Sequence, residues 1–242
     1  MMNRPSLPNA GRPQGIVVAG THPRCGKTVA CAGLAGVLSQ LGFRTQAAKP
    51  LVFTPKISLS HSRDLLFFNR VLPPWSTFEP VWAESAHHVS VQDWQRILES
   101  CRKQPYGYIL ETPGLLASPL RYLPEGFMDA SDLAQALQNP LLLVTPKQPD
   151  IIAALAPAFA YCRLKNTPLL GWIAVETSPT EAPHWDTDVL SLTQQYQVPY
   201  LGKIAYSPSI SVEACQQGNL LRMTEMGVDL LPIQQELQLL VP

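Results

Sequence analysis

Short apolar runs alternate with longer stretches of helical spacing along most of this chain. Residues 15–20 (GIVVAG) form an apolar run bounded by glycines, the pattern of a strand buried on both faces. Residues 27–41 carry Ala, Val and Leu at helical spacing, and Gly42 marks a stop. A second strand is predicted over 45–49, ended by Pro50. A long irregular stretch follows, with helical turns near 64–70 and 94–102. Beyond it the pattern predicts a strand at 106–111, a helix at 129–137 and a strand at 141–145. A helix at 151–164, a strand at 169–175, a helix at 187–196 and a last strand at 200–204 complete the series. Strands alternating with helices argue for a parallel sheet covered on both faces. In such sheets ligands bind outside the carboxyl ends of the strands, which selects the residues following Gly20, Lys49, Glu111 and Thr145.

Composition narrows this picture in a few respects. Of 242 residues, 46% are hydrophobic and 15% charged, with 18 basic side chains balancing 18 acidic ones. A large core is affordable, and the charge balance calls for neither nucleic acid nor an anionic membrane surface. The five cysteines include no C-x-x-C pair, which argues against a disulfide framework or a thiolate zinc site and favours a reducing compartment. No apolar run approaches the roughly 20 residues of a membrane span. The reading is therefore a cytoplasmic protein with a disordered N-terminal tail over 1–14 and a single domain over 15–242. The 24 prolines punctuate loops and strand starts, as in VLPPW and PLLLVTP.

The chemistry enters after the first strand, at AGTHPRCGKT. A strand, a short loop closing in Gly-Lys-Thr and a helix is the context of a phosphate-binding loop. Gly26 permits close backbone approach to an anion, and the N–H groups of the helix start face the loop. Lys27 can reach terminal phosphates, and Thr28 can ligate Mg²⁺ through its hydroxyl. Cys25, beside Lys27 and a helix start, is either a thiol of lowered pKa or a small apolar filler. The spacing departs by one from the standard motif, because the opening glycine is Gly20 and Thr21 follows it.

That offset form, G-T-x-x-x-x-G-K-T, followed by a strand ending in Lys49-Pro50-Leu51, resembles dethiobiotin synthetase, whose loop opens Gly-Thr and whose next strand ends Lys-Pro-Val. The order and spacing of the match cover roughly residues 15–205. It includes Asp64 before an apolar helix, Glu84-Ser85-Ala86-His87-His88, Glu111-Thr112-Pro113-Gly114, Ser118-Pro119-Leu120, and the strands at 170–174 and 201–204. The resemblance implies a three-layer P-loop nucleotide-binding fold with a mainly parallel sheet and helices on both faces. It also implies a homodimer.

By the same resemblance the reactants are ATP, or another nucleoside triphosphate, together with 7,8-diaminopelargonate and CO₂. Mg²⁺ is held by Thr28, Asp64 and Glu111. Lys27 and Lys49 serve catalysis, and Arg24, Cys25, Gly26, Lys27, Thr28, Val29 and Val175 line the nucleotide. Pro23, Lys49 and Phe53 take substrate-side positions. Read from the residues alone, Asp64 is either a metal ligand or the cap of its helix. Glu111, a carboxylate ending an apolar strand, points to function. His87 and His88, adjacent on the chain, suit surface roles better than a shared metal.

The chain also departs from that family. His22, Pro23 and Arg24 stand where the loop carries Asp, Thr and Glu, and Phe53 replaces a substrate-side serine. Thr112-Pro113 replaces Gly-Ala, and Val175 replaces the adenine-reading Asn. The phosphate and metal groups are kept while base and substrate recognition has drifted. The alternative to a ligase is a nucleotide-binding regulatory or switch protein of the same P-loop class. Such switches usually carry a second lysine early in the loop, and this chain has none between Gly20 and Lys27.

Overall fold

The first strand shows why the chain needs helices on two sides. In β1 (Gly15–Gly20) every residue is buried, with Val17 and Ala19 facing one apolar cluster and Ile16 and Val18 facing another. A strand whose two faces are both apolar is stable only between two layers. A computed structural model, describing residues 15–55, 62–73 and 78–237, places β1 near the middle of six parallel strands.

The other strands of that sheet are β2 (Thr45–Ala48), β5 (Gly107–Glu111), β8 (Leu141–Pro146), β9 (Leu169–Val175) and β10 (Tyr200–Ile204). Their order is β10-β9-β8-β1-β5-β2. Four shorter strands lie outside it. β3 (Leu51–Phe53) pairs in parallel with β4 (Val81–Ala83), and β6 (Arg121–Tyr122) forms a small antiparallel ribbon with β7 (Phe127–Met128).

One face is covered by α1 (Lys27–Gln40), α2 (Arg63–Val71), α7 (Leu220–Gly227) and α8 (Leu231–Glu236). The other carries α3 (Val91–Arg102), α4 (Ala130–Leu137), α5 (Ile151–Leu164) and α6 (Trp185–Tyr196). The three-layer architecture is the one the alternating pattern implies.

Helix α1 is buried along most of its length, so its small residues are spacers rather than a polar face. A Cβ on Gly33 would lie 2.3 Å from Thr224 Oγ1 of α7, so glycine there lets the two helices approach. The expected tail over 1–14 lies outside the described residues. Among those residues no helix is long and apolar enough to cross a membrane.

Several elements go beyond the sequence pattern. The strand expected to stop at Pro50 ends at Ala48, and the chain re-enters a strand as β3. Strands of two or three residues are too short to show a period. Helices α7 and α8 were not foreseen either. Their apolar residues, such as Leu220 and Ile233, gain meaning only from packing on α1 and the sheet edge.

Candidate functional site

The loop after β1 is pinned at its start, through both polar groups of Thr21. Thr21 N donates to Val144 O at 3.0 Å, and Thr21 Oγ1 donates to Thr145 Oγ1 at 2.9 Å, which ties the loop to β8. Cys25 is fully buried beneath the loop. Burial pushes its thiol pKa up and Lys27 only partly offsets this, so of the two readings of Cys25 the structure favours the apolar filler. Arg24 takes a left-handed φ of 56° on the exposed rim.

Gly26 caps α1 with φ 91°, and a Cβ there would sit 2.6 Å from Val175 Cγ1. Only glycine satisfies both the torsion and that contact. The loop therefore rests directly on the carboxyl end of β9.

Lys27 Nζ donates to the carbonyl of Gly114 at 2.8 Å, reaching across to the loop that follows β5. That loop is tied back in turn, because Leu116 N donates to Gly20 O at 2.9 Å. Thr28 Oγ1 donates to Asp64 Oδ1 at 3.1 Å. Asp64 does not cap α2, because Ser62 is the N-cap and its hydroxyl accepts from Leu65 N. The carboxylate stands in the first turn, free to face Lys49 and Thr28.

Lys49 follows β2, with its ammonium between two carboxylates: it pairs with Asp64 and, at 2.9 Å, with Glu111 Oε1. Burial alone would lower the Lys49 pKa, but Glu111 first and Asp64 next outweigh it, so the group stays charged with its pKa raised. Glu111 is almost wholly buried at the end of β5, and among the described residues its Oε2 has no hydrogen-bond partner.

These side chains meet in one cavity of about 550 Å³, lined by Arg24, Cys25, Gly26, Lys27, Thr28, Val29, Lys49, Asp64, Glu111 and Val175. Pro23 and Phe53 are absent from its lining. Pro23 is exposed on the loop, and Phe53 is half-buried against the core. His87 stacks on Tyr122 with ring centroids 3.9 Å apart, and His88 hydrogen-bonds Ser85, so both are surface groups away from the cavity.

The donor set near Thr28 suits a hard divalent cation. Asp64, Glu111 and a hydroxyl offer oxygen only, and an orphaned carboxylate oxygen is buried among them. Mg²⁺ takes one or two carboxylates and completes its shell with water and phosphate oxygens. Among the described residues no group of three or more His, Cys, Asp or Glu side chains could hold a metal ion.

The far end of the cavity was not read from the sequence. It is built by Glu176 and Thr177 after β9 and by residues 204–207 and 210–213 at and after β10. Glu176 Oε1 accepts from Lys147 at 2.9 Å and Lys203 at 3.0 Å, and its Oε2 accepts from Tyr206 N at 3.1 Å. Burial pushes this carboxyl up, but Lys147 and Lys203 outweigh it and hold the pKa down to about 2. The carboxyl-end rule that selected Glu111 also selects Glu176, one residue past β9.

No family model matches the chain. It is 30% identical over 212 residues to ATP-dependent dethiobiotin synthetase BioD 1 of Salmonella typhimurium, a match covering 79% of this chain and 90% of that protein. ATP-dependent dethiobiotin synthetase BioD of Xanthomonas campestris pv. campestris is 26% identical over 218 residues, covering 83% of this chain and 94% of the relative. Among solved structures, the septum site-determining protein MinD of Pyrococcus horikoshii, complexed with Mg-ADP, aligns with TM-score 0.52 and 17% identity over 93% of this chain and 94% of that one. The signal recognition particle receptor FtsY of Elizabethkingia anophelis, in complex with GDP, aligns with TM-score 0.53 and 16% identity over 83% of this chain and 59% of that one. At such identities the structural likenesses speak to the fold alone, and it is the P-loop nucleotide-binding fold.

Proposed function

The chain belongs to the dethiobiotin synthetase family, and from that premise we propose that it is an ATP-dependent cyclo-ligase converting 7,8-diaminopelargonate and CO₂ to dethiobiotin in the cytoplasm. The observation that carries the reading is Lys49. It is a second lysine, buried in the same cavity as the loop and its Lys27. A phosphate-binding loop of the standard motif meets its anion with one lysine, not two. A reaction in which an anion attacks an anionic phosphate has a use for the second.

In this reading one amine of the substrate takes up CO₂ and loses a proton, giving a carbamate. A carbamate oxygen attacks the γ-phosphorus of ATP, and the bond to ADP breaks. The second amine attacks the carbamate carbon, closes the ureido ring and expels phosphate. The protein forms no covalent bond with the reactants, so its work is to position and to balance charge. Lys27 turns from the Gly114 carbonyl to the terminal phosphates. Lys49 steadies the carbamate and its mixed anhydride. Thr28, Asp64 and Glu111 would hold Mg²⁺, which would supply charge neutralisation at the phosphates.

The base lies toward Val175 and residues 204–213, where no side-chain amide replaces the missing Asn. Discrimination among ATP, GTP and CTP is accordingly modest. In a nucleotide switch, the other reading of such a loop, Lys49 would serve only as the counter-ion of Asp64 and Glu111, with no second anion to meet.

The test is dethiobiotin formation by the purified protein from diaminopelargonate, bicarbonate and Mg²⁺ with each nucleoside triphosphate. The expected result is turnover that falls by about two orders of magnitude or more in Lys49→Met. Absence of product with every nucleotide would overturn the proposal.

A further inference from the structure

Lys49 stands between the two carboxylates that would receive the metal. One ammonium pairs with Asp64 and with Glu111 Oε1, and the Lys49 side chain is only 11% exposed. Two facing carboxylates, Glu111 buried and the Asp64 side chain 30% exposed, repel each other, so a cation between them is an electrostatic need of the site. A single ammonium meets that need only in part. Two negative charges oppose one positive, and Glu111 Oε2 has no hydrogen-bond partner among the described residues. Among the described residues Asp64 Oδ1 accepts from the Thr28 hydroxyl, itself a group suited to a divalent cation.

A divalent cation would complete the charge balance and engage the unpaired oxygen. It cannot share those oxygens with an ammonium a few ångströms away without like-charge repulsion. We propose that Lys49 is an internal counter-ion that fills the Asp64–Glu111 site until a divalent cation displaces it, and that this displacement delivers Lys49 to the substrate's anionic group. The inference rests on the ligase reading of the same cavity and deepens it. Metal and anionic substrate then bind in positive linkage: each favours the arrangement in which Lys49 has left the carboxylates. The long lysine stem allows that swing while the backbone after it is held by Pro50.

Two measurements on the full chain without nucleotide test this, with Mn²⁺ as the probe. By electron paramagnetic resonance, Lys49→Met binds Mn²⁺ at least about tenfold more tightly than the parent, because the competitor is gone. Lys49→Arg, which keeps the charge, stays within about threefold of the parent. In the parent, acylation of Lys49 by an amine reagent, followed by peptide mass spectrometry, speeds up several-fold on saturation with Mn²⁺. The exposed Lys103 serves as the unchanged reference. This second measurement decides alone if Lys49→Met does not fold.

Equal or weaker Mn²⁺ binding by a folded Lys49→Met overturns the inference, and so does Lys49 labelling indifferent to Mn²⁺. If neither parent nor variant binds Mn²⁺ at millimolar concentration, the inference falls together with the metal assignment. If Mn²⁺ behaves as expected but the parent makes no dethiobiotin, the counter-ion role stands and the ligase reading falls.

Discussion

Lys27 is the residue on which nucleotide binding is expected to depend most. Its ammonium already reaches out of α1 to an acceptor 87 positions along the chain, so the phosphate need only replace the Gly114 carbonyl. Lys27→Ala removes a charge-assisted contact worth about 1.5–3 kcal/mol, or roughly ten- to a hundredfold in ATP–Mg²⁺ affinity by calorimetry. Equal affinity in the variant would remove the loop from the site. Gly26 makes a different kind of demand. Alanine there meets φ 91° and the side chain of Val175 at once. Gly26→Ala is expected to cost about 1–3 kcal/mol of stability in denaturant titration and to lose measurable ATP binding, because relief of the clash shifts either the loop or β9. A variant as stable and as competent as the parent would show that the loop has another way to lie.

At the scale of elements, the carboxyl ends of β8, β9 and β10 are joined by one carboxylate. Glu176 follows β9, Lys147 follows β8, Lys203 lies within β10, and Tyr206 N belongs to the segment that walls the far end of the cavity. The Glu176 carboxyl is depressed from an ordinary 4.5 to about 2. The sign follows directly. The folded form holds its proton less tightly than the unfolded one, so the stabilisation is full above the ordinary value and fades as pH falls toward about 2. Glu176→Gln is expected to be less stable than the parent by about 1–2 kcal/mol at neutral pH, a gap that closes on acidification through that window. Urea titrations at a series of pH values check it, and a gap independent of pH would assign the loss to packing. The variant also frees the segment after β10, so its ATP affinity weakens more than its affinity for inorganic tripolyphosphate, which reaches only the loop.

For the whole molecule, ligand and partner both appear in the stability. Any ligand that binds only the folded chain stabilises it by mass action. At a hundred times its Kd, ATP–Mg²⁺ is worth about 2.7 kcal/mol, a rise in Tm of roughly 5–10 °C for a chain of this size. Lys27→Ala at the same concentration should lose most of that rise. The family's two-fold assembly leads to a second expectation, a particle of twice the 26.6 kDa chain mass by light scattering at micromolar concentration. A monomer that still turned over would show that each chain completes its own site.

What the sequence determined by itself was local in origin. An apolar run bounded by glycines reads as a buried strand whatever surrounds it. Gly26-Lys27-Thr28 reads as an anion loop because torsion, charge and helix start are all set within a few residues. The spans 151–164, 169–175 and 200–204 coincide with α5, β9 and β10 because their patterns are long enough to show a period. The tertiary structure decided what depends on groups distant in the chain. Cys25 sits beside Lys27 in sequence, yet its thiol is governed by burial under the loop. Asp64 was open between cap and ligand until Ser62 took the cap. Phe53, a substrate-side position by resemblance, packs half-buried against the core cluster. Lys49, Asp64 and Glu111 lie on three elements, and only the sheet order brings β2 and β5 side by side so that one ammonium can bridge two carboxylates. Charges on separate strands interact through space, at distances that no spacing along a chain encodes.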